Sequence, residues 1–405
     1  MSNKGKLEEL DKKYNVRPLE TPSASKLDLE PLVLKDIDLS LFEDGDSFLK
    51  QRKRLAGILE ESITTYGFFN VTKFGFPEDK IEKLKSISQS ILELPWEEKL
   101  KYLASAPRKE DEKEGQIGGE RGQGFKPKGY WLIKGGVRDS IDHYNFQDSC
   151  HDEFLAQHDK HPELLAAHLS DFVEYFNHLH RVVFPKLLRL CDLILDVPEG
   201  TLLNNYFKNG GTNLDSSKSH ARLMMYYPYN NENFSEKTEN TFLRGHSDIS
   251  AFTFITSQPV LGLQVKDVFS GKWRYVAHRE QSLIVNIGDA MEFISGGYFK
   301  ACLHRVIEPP KDQVQFKRLV LIYFCNPEAD SELDPELIHS KKLDLLGYNK
   351  SSRLREWEKI LFQDWNTAKG KLLGRTDAGE RNLLKYFGRQ IERWHHFEKP
   401  LEQSY

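Results

Sequence analysis

Two histidines and an aspartate stand at a spacing that can hold a metal. Arg244-Gly245-His246-Ser247-Asp248 sets an imidazole and a carboxylate two residues apart, and His304 follows in Ala301-Cys302-Leu303-His304-Arg305-Val306. Such a set occupies one face of an octahedral Fe(II) and leaves three positions open, enough for a bidentate ketoacid and dioxygen. Zinc would favour four-coordinate closure. By itself HxD is weak, because it arises by chance in long chains and more often marks an ordinary polar pair at a strand end. The elements that must position these residues therefore decide how they are read.

The chain has 405 residues, long enough for a sizeable core. With 39% hydrophobic and 29% charged residues, its composition is that of a globular protein. It has no apolar run near the roughly 18 residues that cross a bilayer, so no membrane contact is expected. The 57 basic residues face 61 acidic ones for a net charge of -4, which supplies no field to attract a polyanion, so nucleic acid is not an expected partner. Cys150, Cys191, Cys302 and Cys325 have no metal-type spacing and are too few for a disulfide framework. The charged start MSNKGKLEELDKKY lacks an apolar signal core. Together these features predict a cytoplasmic protein, expected as a monomer.

Along the chain, residues 1–30 show no sustained period and are expected as a tail or extended arm. Residues 31–120 read as a mixed, mainly helical segment. Leu55, Ile58, Leu59 and Ile63 lie at helical spacing, Phe68 to Val71 as a strand, and Ile81, Leu84, Ile87 and Ile91 on a second helix ending before Pro95. From Pro107 to Gly136 a charge run and eight glycines predict a solvated loop, or a lid over a pocket. Between His161 and Leu195 the apolar spacing predicts a long helix interrupted near Pro185, with His161, His168, His178 and His180 on a solvated face. After Asn213 the pattern turns to short strands, at 223–227, 251–256, 261–265, 283–287 and 319–324, separated by turns; this predicts an antiparallel sandwich or barrel. A core is expected over 121–330. Residues 331–405 read as a helical extension, with Trp357, Ile360 and Leu361, and later Leu383, Leu384, Phe387 and Ile391, at helical spacing. The whole is expected as one integrated unit, the extension covering and closing it.

In this context the chain resembles the isopenicillin-N-synthase-like branch of the iron(II)- and 2-oxoglutarate-dependent oxygenases. The resemblance runs through Val33 to Leu39, Tyr66-Gly67-Phe68-Phe69-Asn70-Val71, Leu94-Pro95-Trp96-Glu97-Glu98-Lys99, Tyr226-Tyr227-Pro228, the His246 segment, Gly262-Leu263-Gln264-Val265, Val285-Asn286-Ile287-Gly288-Asp289, His304-Arg305-Val306 and Asn326-Pro327, in the family's order. It implies a mainly β fold with flanking helices (α+β), built on a double-stranded β-helix, the cupin-like jelly roll. His246, Asp248 and His304 would hold Fe(II). Arg318, fourteen residues past the second histidine, would bind the distal carboxylate of 2-oxoglutarate, and Tyr227 would add a hydroxyl. Guanidinium suits that task because it binds a carboxylate bidentately. With dioxygen as second cosubstrate, the reaction would couple oxidative decarboxylation to hydroxylation, desaturation or ring closure of a small molecule. Arg121 and Tyr130 in the glycine-rich loop, and Phe254 and Phe293, are candidates for contact with that substrate.

Two positions depart from the family pattern. Val320 replaces the serine or threonine usual two residues after the arginine, and Met225 replaces the asparagine two residues before the tyrosine. Each removes a hydrogen bond to a charged acceptor, together roughly 1–3 kcal/mol. The residues alone leave open a ketoacid-independent iron oxidase and a non-catalytic barrel used for binding. They do not identify the substrate.

Overall fold

Strand alternation beyond residue 219 sorts the side chains into two layers, and both are buried. The computed structural model describes residues 3–104, 122–131, 133, 137–147, 158–207, 219–229, 234–349, 357–372 and 385–390. Its strands are β1 (Asp36–Asp38), β2 (Phe68–Thr72), β3 (Gly124–Lys126), β4 (Ile141–Gln147), β5 (His220–Tyr226), β6 (Thr241–His246), β7 (Phe252–Thr256), β8 (Leu263–Lys266), β9 (Trp273–Tyr275), β10 (Ser282–Ile287), β11 (His304–Ile307) and β12 (Arg318–Cys325). A large sheet has the order β1-β2-β10-β7-β12-β5-β4-β3, and a small one β6-β11-β8-β9. Apart from the parallel β1–β2 pair, the neighbours are antiparallel.

One apolar cluster joins Met224, Tyr226, Ile255, Val320 and Ile322 of the large sheet to Phe242, Leu263, Val265 and Val306 of the small one, so the sheets face each other as in a jelly roll. Residues of opposite parity, among them Leu223, Met225, Phe252, Phe254, Leu319, Leu321 and Tyr323, enter a second cluster with the helices Leu49–Ile63, Glu78–Leu92, Leu169–His178 and Phe184–Ile194. Double-sided burial explains why these strands read as continuous apolar runs in sequence.

The first long helix stops where expected. Gly67 sits at φ +66° and its N–H bonds the Ser62 carbonyl; a Cβ there would meet the Lys300 carbonyl oxygen at 1.9 Å, so only glycine lets β2 start here. Among the described residues, no helix is long and apolar enough to cross a membrane.

Three expectations need correction. Residues Asn3–Lys13 form a helix where a tail or arm was expected. It is too polar to show a period; Leu10 and Tyr14 pack on the core, and polar contacts add to this: Lys13 and Tyr14 on Glu163, and Asp11 on His168. Next, the histidines of the long helical segment are not on a solvated face. His161, His168 and His180 are buried, because the flanks of the stripe reach Tyr144, Asp11 and the sheet residue Tyr323. The interruption is a π-turn over Leu179–Val183 just before Pro185, whose missing N–H cannot continue the α ladder. Finally, Lys385–Tyr386 and Arg389–Gln390 pair as a hairpin rather than a helix. Phe387 and Gly388 both have positive φ, the geometry of a tight two-residue turn. Leu383, Leu384 and Ile391 lie outside the described residues.

Candidate active site

His246 ends β6 and His304 begins β11, and the two are direct cross-strand partners, with ring centroids 4.4 Å apart. Asp248 lies in the turn that leaves β6 for the large sheet. Its Oδ1 is 3.6 Å from His246 Nε2 and 3.8 Å from His304 Nε2, and one donor atom from each residue falls within 4.8 Å of the others.

The remaining atoms of the set are tied down. His246 Nδ1–H donates to the Arg244 carbonyl at 2.8 Å, which turns Nε2 toward the cluster. Asp248 Oδ2 accepts from Thr253 Oγ1 at 2.7 Å and Asn286 Nδ2 at 2.8 Å, so the large sheet orients a carboxylate from the small one. Burial alone would raise the Asp248 carboxyl. His304, His246 and the hydrogen bonds from Asn286 and Thr253 outweigh it and bring it to about 2. Burial, with His304, lowers His246 to about 4, leaving a neutral imidazole near pH 7. An anionic oxygen and two imidazoles on one side, with the opposite side open to a cavity, fit a metal that keeps exchangeable positions.

That cavity, of about 440 Å³, lies between the sheets. Arg318 opens β12 opposite Tyr226, and its guanidinium lies 5.3 Å from that ring. It is 5% exposed, its Nε has no hydrogen-bond partner, and no carboxylate pairs with it among the described residues. Burial lowers its pKa. Gly262 keeps room for it, since a Cβ there would come within 3.3 Å of Arg318 Cδ.

Tyr227 does not share this cavity. Residues 222, 224 and 226 point inward along β5, whereas the Tyr227 hydroxyl donates to the Leu92 carbonyl at 3.2 Å and Lys128 Nζ lies 3.3 Å from its ring centroid. Of the two adjacent tyrosines, Tyr226 lines the cavity. The same parity moves Met225 to the helix side and brings Met224 beside Val320 on the cavity wall.

Tyr130 lines the cavity; Arg121 lies outside the described residues. Phe254 and Phe293 are not pocket residues. Phe254 faces the helices on the outward parity of β7, whose Thr253 and Ile255 line the cavity, and Phe293 packs against Trp357, Trp365 and Arg389.

Residues 199–327 match the 2OG-Fe(II) oxygenase superfamily, and residues 35–165 match the family described as non-haem dioxygenase in morphine synthesis N-terminal. The chain belongs to the 2OG-Fe(II) oxygenase superfamily. Feruloyl CoA ortho-hydroxylase 2 of Arabidopsis thaliana is 25% identical over 317 residues, 76% of this chain and 78% of that protein. Leucoanthocyanidin dioxygenase 2 of Oryza sativa subsp. japonica is 25% identical over 318 residues, 78% of this chain and 76% of its own. The fold matches the crystal structure of a full-length Neurospora crassa protein in complex with alpha-KG, at a TM-score of 0.64 and 21% identity, over 84% of this chain and 98% of that one. Membership carries the chemistry with it: an Fe(II)- and 2-oxoglutarate-dependent dioxygenase.

One feature of this oxygenase left no mark in sequence spacing. The helix Phe362–Leu372 lines the cavity with Asn366 and Gly370 and reaches behind the His246–Asp248 turn. Lys369 Nζ donates to the Ser247 carbonyl at 2.9 Å and to Ser247 Oγ at 2.8 Å, and pairs with Asp289. Asp289 also accepts from Ser247 Oγ at 2.7 Å and Trp365 Nε1 at 3.0 Å. Lys369 and Asp289 are both buried. Removing one member of such a pair costs about 3 kcal/mol. Lys369→Met is therefore expected to lower the urea midpoint of unfolding correspondingly. An unchanged midpoint would mean that this helix does not dock behind the turn.

Proposed function

We propose that His246 Nε2, Asp248 Oδ1 and His304 Nε2 hold Fe(II), that Arg318 binds the distal carboxylate of 2-oxoglutarate, and that the usual outcome is hydroxylation. Arg318 carries this reading: a cation lining the cavity, with no carboxylate partner among the described residues, is costly to bury, and a ligand carboxylate in charge-assisted bonds offsets that cost. Iron, 2-oxoglutarate and dioxygen together supply the oxidising power for C–H cleavage. The protein's residues supply position. In this reading Tyr226 takes the role first expected of Tyr227, while Val320 and Met224 leave the carboxylate an apolar neighbour where the family pattern has donors.

The test is anaerobic titration of the Fe(II)-loaded protein with 2-oxoglutarate, following the weak visible charge-transfer band of a chelated ketoacid. The band should appear and saturate. Iron binding without a band would instead favour ketoacid-independent oxidation, which the loss of donors at Val320 would suit. In the same titration, Tyr226→Phe should weaken 2-oxoglutarate about tenfold, the loss of one hydrogen bond of roughly 1.5 kcal/mol to a charged acceptor. Tyr227→Phe should leave it unchanged. The reverse ranking would restore the original assignment.

We also propose a cytoplasmic monomer acting on a small molecule, with residues 31–330 as one catalytic unit and 331–405 closing it. Support comes from Cys191, Cys302 and Cys325, which are buried free thiols, and from Asn366 and Gly370 on the cavity wall. Relatives are named for feruloyl CoA and leucoanthocyanidin, and the Neurospora crassa protein is also known in complex with thymine. Substrates so varied leave specificity to each chain's own cavity.

A further inference from the structure

A second arginine in the cavity has no role in the scheme above. Arg222 projects inward from β5, and its Nε donates to Asn145 Oδ1 at 2.7 Å. Asn145 is buried and itself donates to the Gly122 carbonyl at 3.1 Å, so the guanidinium is braced from behind. The Arg222 guanidinium carbon lies 5.1 Å from the Phe324 ring centroid, and His220 stacks on the same ring at 4.6 Å and 20°. No carboxylate pairs with Arg222 among the described residues, and its terminal nitrogens have no hydrogen-bond acceptor there.

Arg222 and Arg318 stand at different levels of the cavity wall. Arg318 stands opposite Tyr226, four residues along β5 from Arg222, which is about 13 Å at the strand rise. Between them the wall is apolar, with Met224, Val320 and Ile322. With the backbone positions that far apart, Arg318 and the metal suffice to hold a five-carbon diacid, and Arg222 is left for another ligand. Among the cationic residues of the lining, which also include Lys126 and Arg244, Arg222 and Arg318 are thus divided by an apolar step, and Arg222 is flanked by the flat rings of Phe324 and His220.

We infer that Arg222 anchors the substrate, and that the substrate is a flat unsaturated ring carrying an oxygen acceptor, either a carboxylate or a ring carbonyl. Guanidinium meets such an oxygen with two N–H groups, and the aromatic surface beside it favours a ring stacked face-on or edge-on. Arg222 lines the same cavity as His246, Asp248 and His304, so a ligand anchored there shares that space with the triad.

The inference rests on the proposed function, and the test separates the two. Wild-type protein with Fe(II) is first titrated anaerobically with 2-oxoglutarate; failure to form the ketoacid band refutes the proposed cosubstrate site, and the inference with it. The loaded protein is then titrated with benzoate, 2-pyridone, cyclohexanecarboxylate and benzylamine, reading the shift of that band and the stimulation of succinate formation in air. Benzoate or 2-pyridone should act at millimolar concentration. Whichever is stronger distinguishes the carboxylate from the ring carbonyl. Cyclohexanecarboxylate should act more weakly and benzylamine not at all. Arg222→Met should weaken the active probe at least tenfold, Arg222→Lys should recover part of the loss, and the ketoacid titration serves as folding control for each variant. A probe affinity unchanged in Arg222→Met, a response to benzylamine equal to that of the flat acids, or silence from both benzoate and 2-pyridone in ketoacid-loaded protein would overturn the inference.

Discussion

Asp248→Ala is expected to abolish ketoacid-dependent oxygen consumption and to reduce bound iron to background while the protein remains folded. The carboxylate is the one anionic atom of the set, and its Oδ1 is what lies within 4 Å of both imidazoles. Removing only the hydrogen-bonded support of a metal ligand costs about 10–100-fold in affinity or activity. Loss of the ligand itself should exceed that range. The fold should survive because the turn is pinned independently by Lys369 and Asp289 through Ser247. Thr253 and Asn286 each lose one acceptor, roughly 1–3 kcal/mol apiece. Iron content by elemental analysis, oxygen uptake and a circular-dichroism melt check the three parts separately. Normal turnover in Asp248→Ala, or a chain that no longer folds, would defeat the site assignment. His304→Ala should behave alike, since its ring is held by packing against Phe68 at 5.4 Å rather than by a network the fold depends on.

Arg318→Ala should have the second largest effect, and a different one. Iron should still bind, but the concentration of 2-oxoglutarate needed to form the charge-transfer band should rise steeply. Truncating one partner of a buried, hydrogen-bonded charge pair costs roughly 2–5 kcal/mol, about 30- to several-thousand-fold in affinity. Without ligand the side chain has no carboxylate to lose among the described residues, so the variant should be at least as stable as the parent protein. Weaker ketoacid binding in a protein of undiminished stability is the signature of a residue kept for its ligand. Val320→Ser, adding a hydroxyl two residues along the same strand, should tighten 2-oxoglutarate by tenfold or less. A larger effect of Val320→Ser than of Arg318→Ala would mean that another group holds the distal carboxylate.

The contrast between neighbouring residues explains how much could be read in advance. His246 and Asp248 were recognisable because their two-residue spacing is local, and His304 because ordered motifs surround it; the fold brings the three together. The strand segments were legible for a similar reason, since apolar runs bounded by turn residues survive whatever they pack against. Which face each strand turns inward was not. β5, β7 and β12 are buried on both sides, so hydrophobicity carries no parity. That is why Tyr227, Met225 and Phe254 read one residue out of phase with Tyr226, Met224 and Ile255.

The ordered motifs, through their resemblance to a known family, thus pointed to the family, the triad and the arginine that opens β12. Tertiary structure alone decided the rest of the cavity. Sequence reasoning singled out neither Arg222, which the fold places facing inward with no carboxylate partner among the described residues, nor Lys369, whose helix docks behind Ser247. Both roles depend on contacts across 77 and 122 residues of chain. Sequence spacing carries no trace of such contacts, because the partners meet only when sheets and helices have packed.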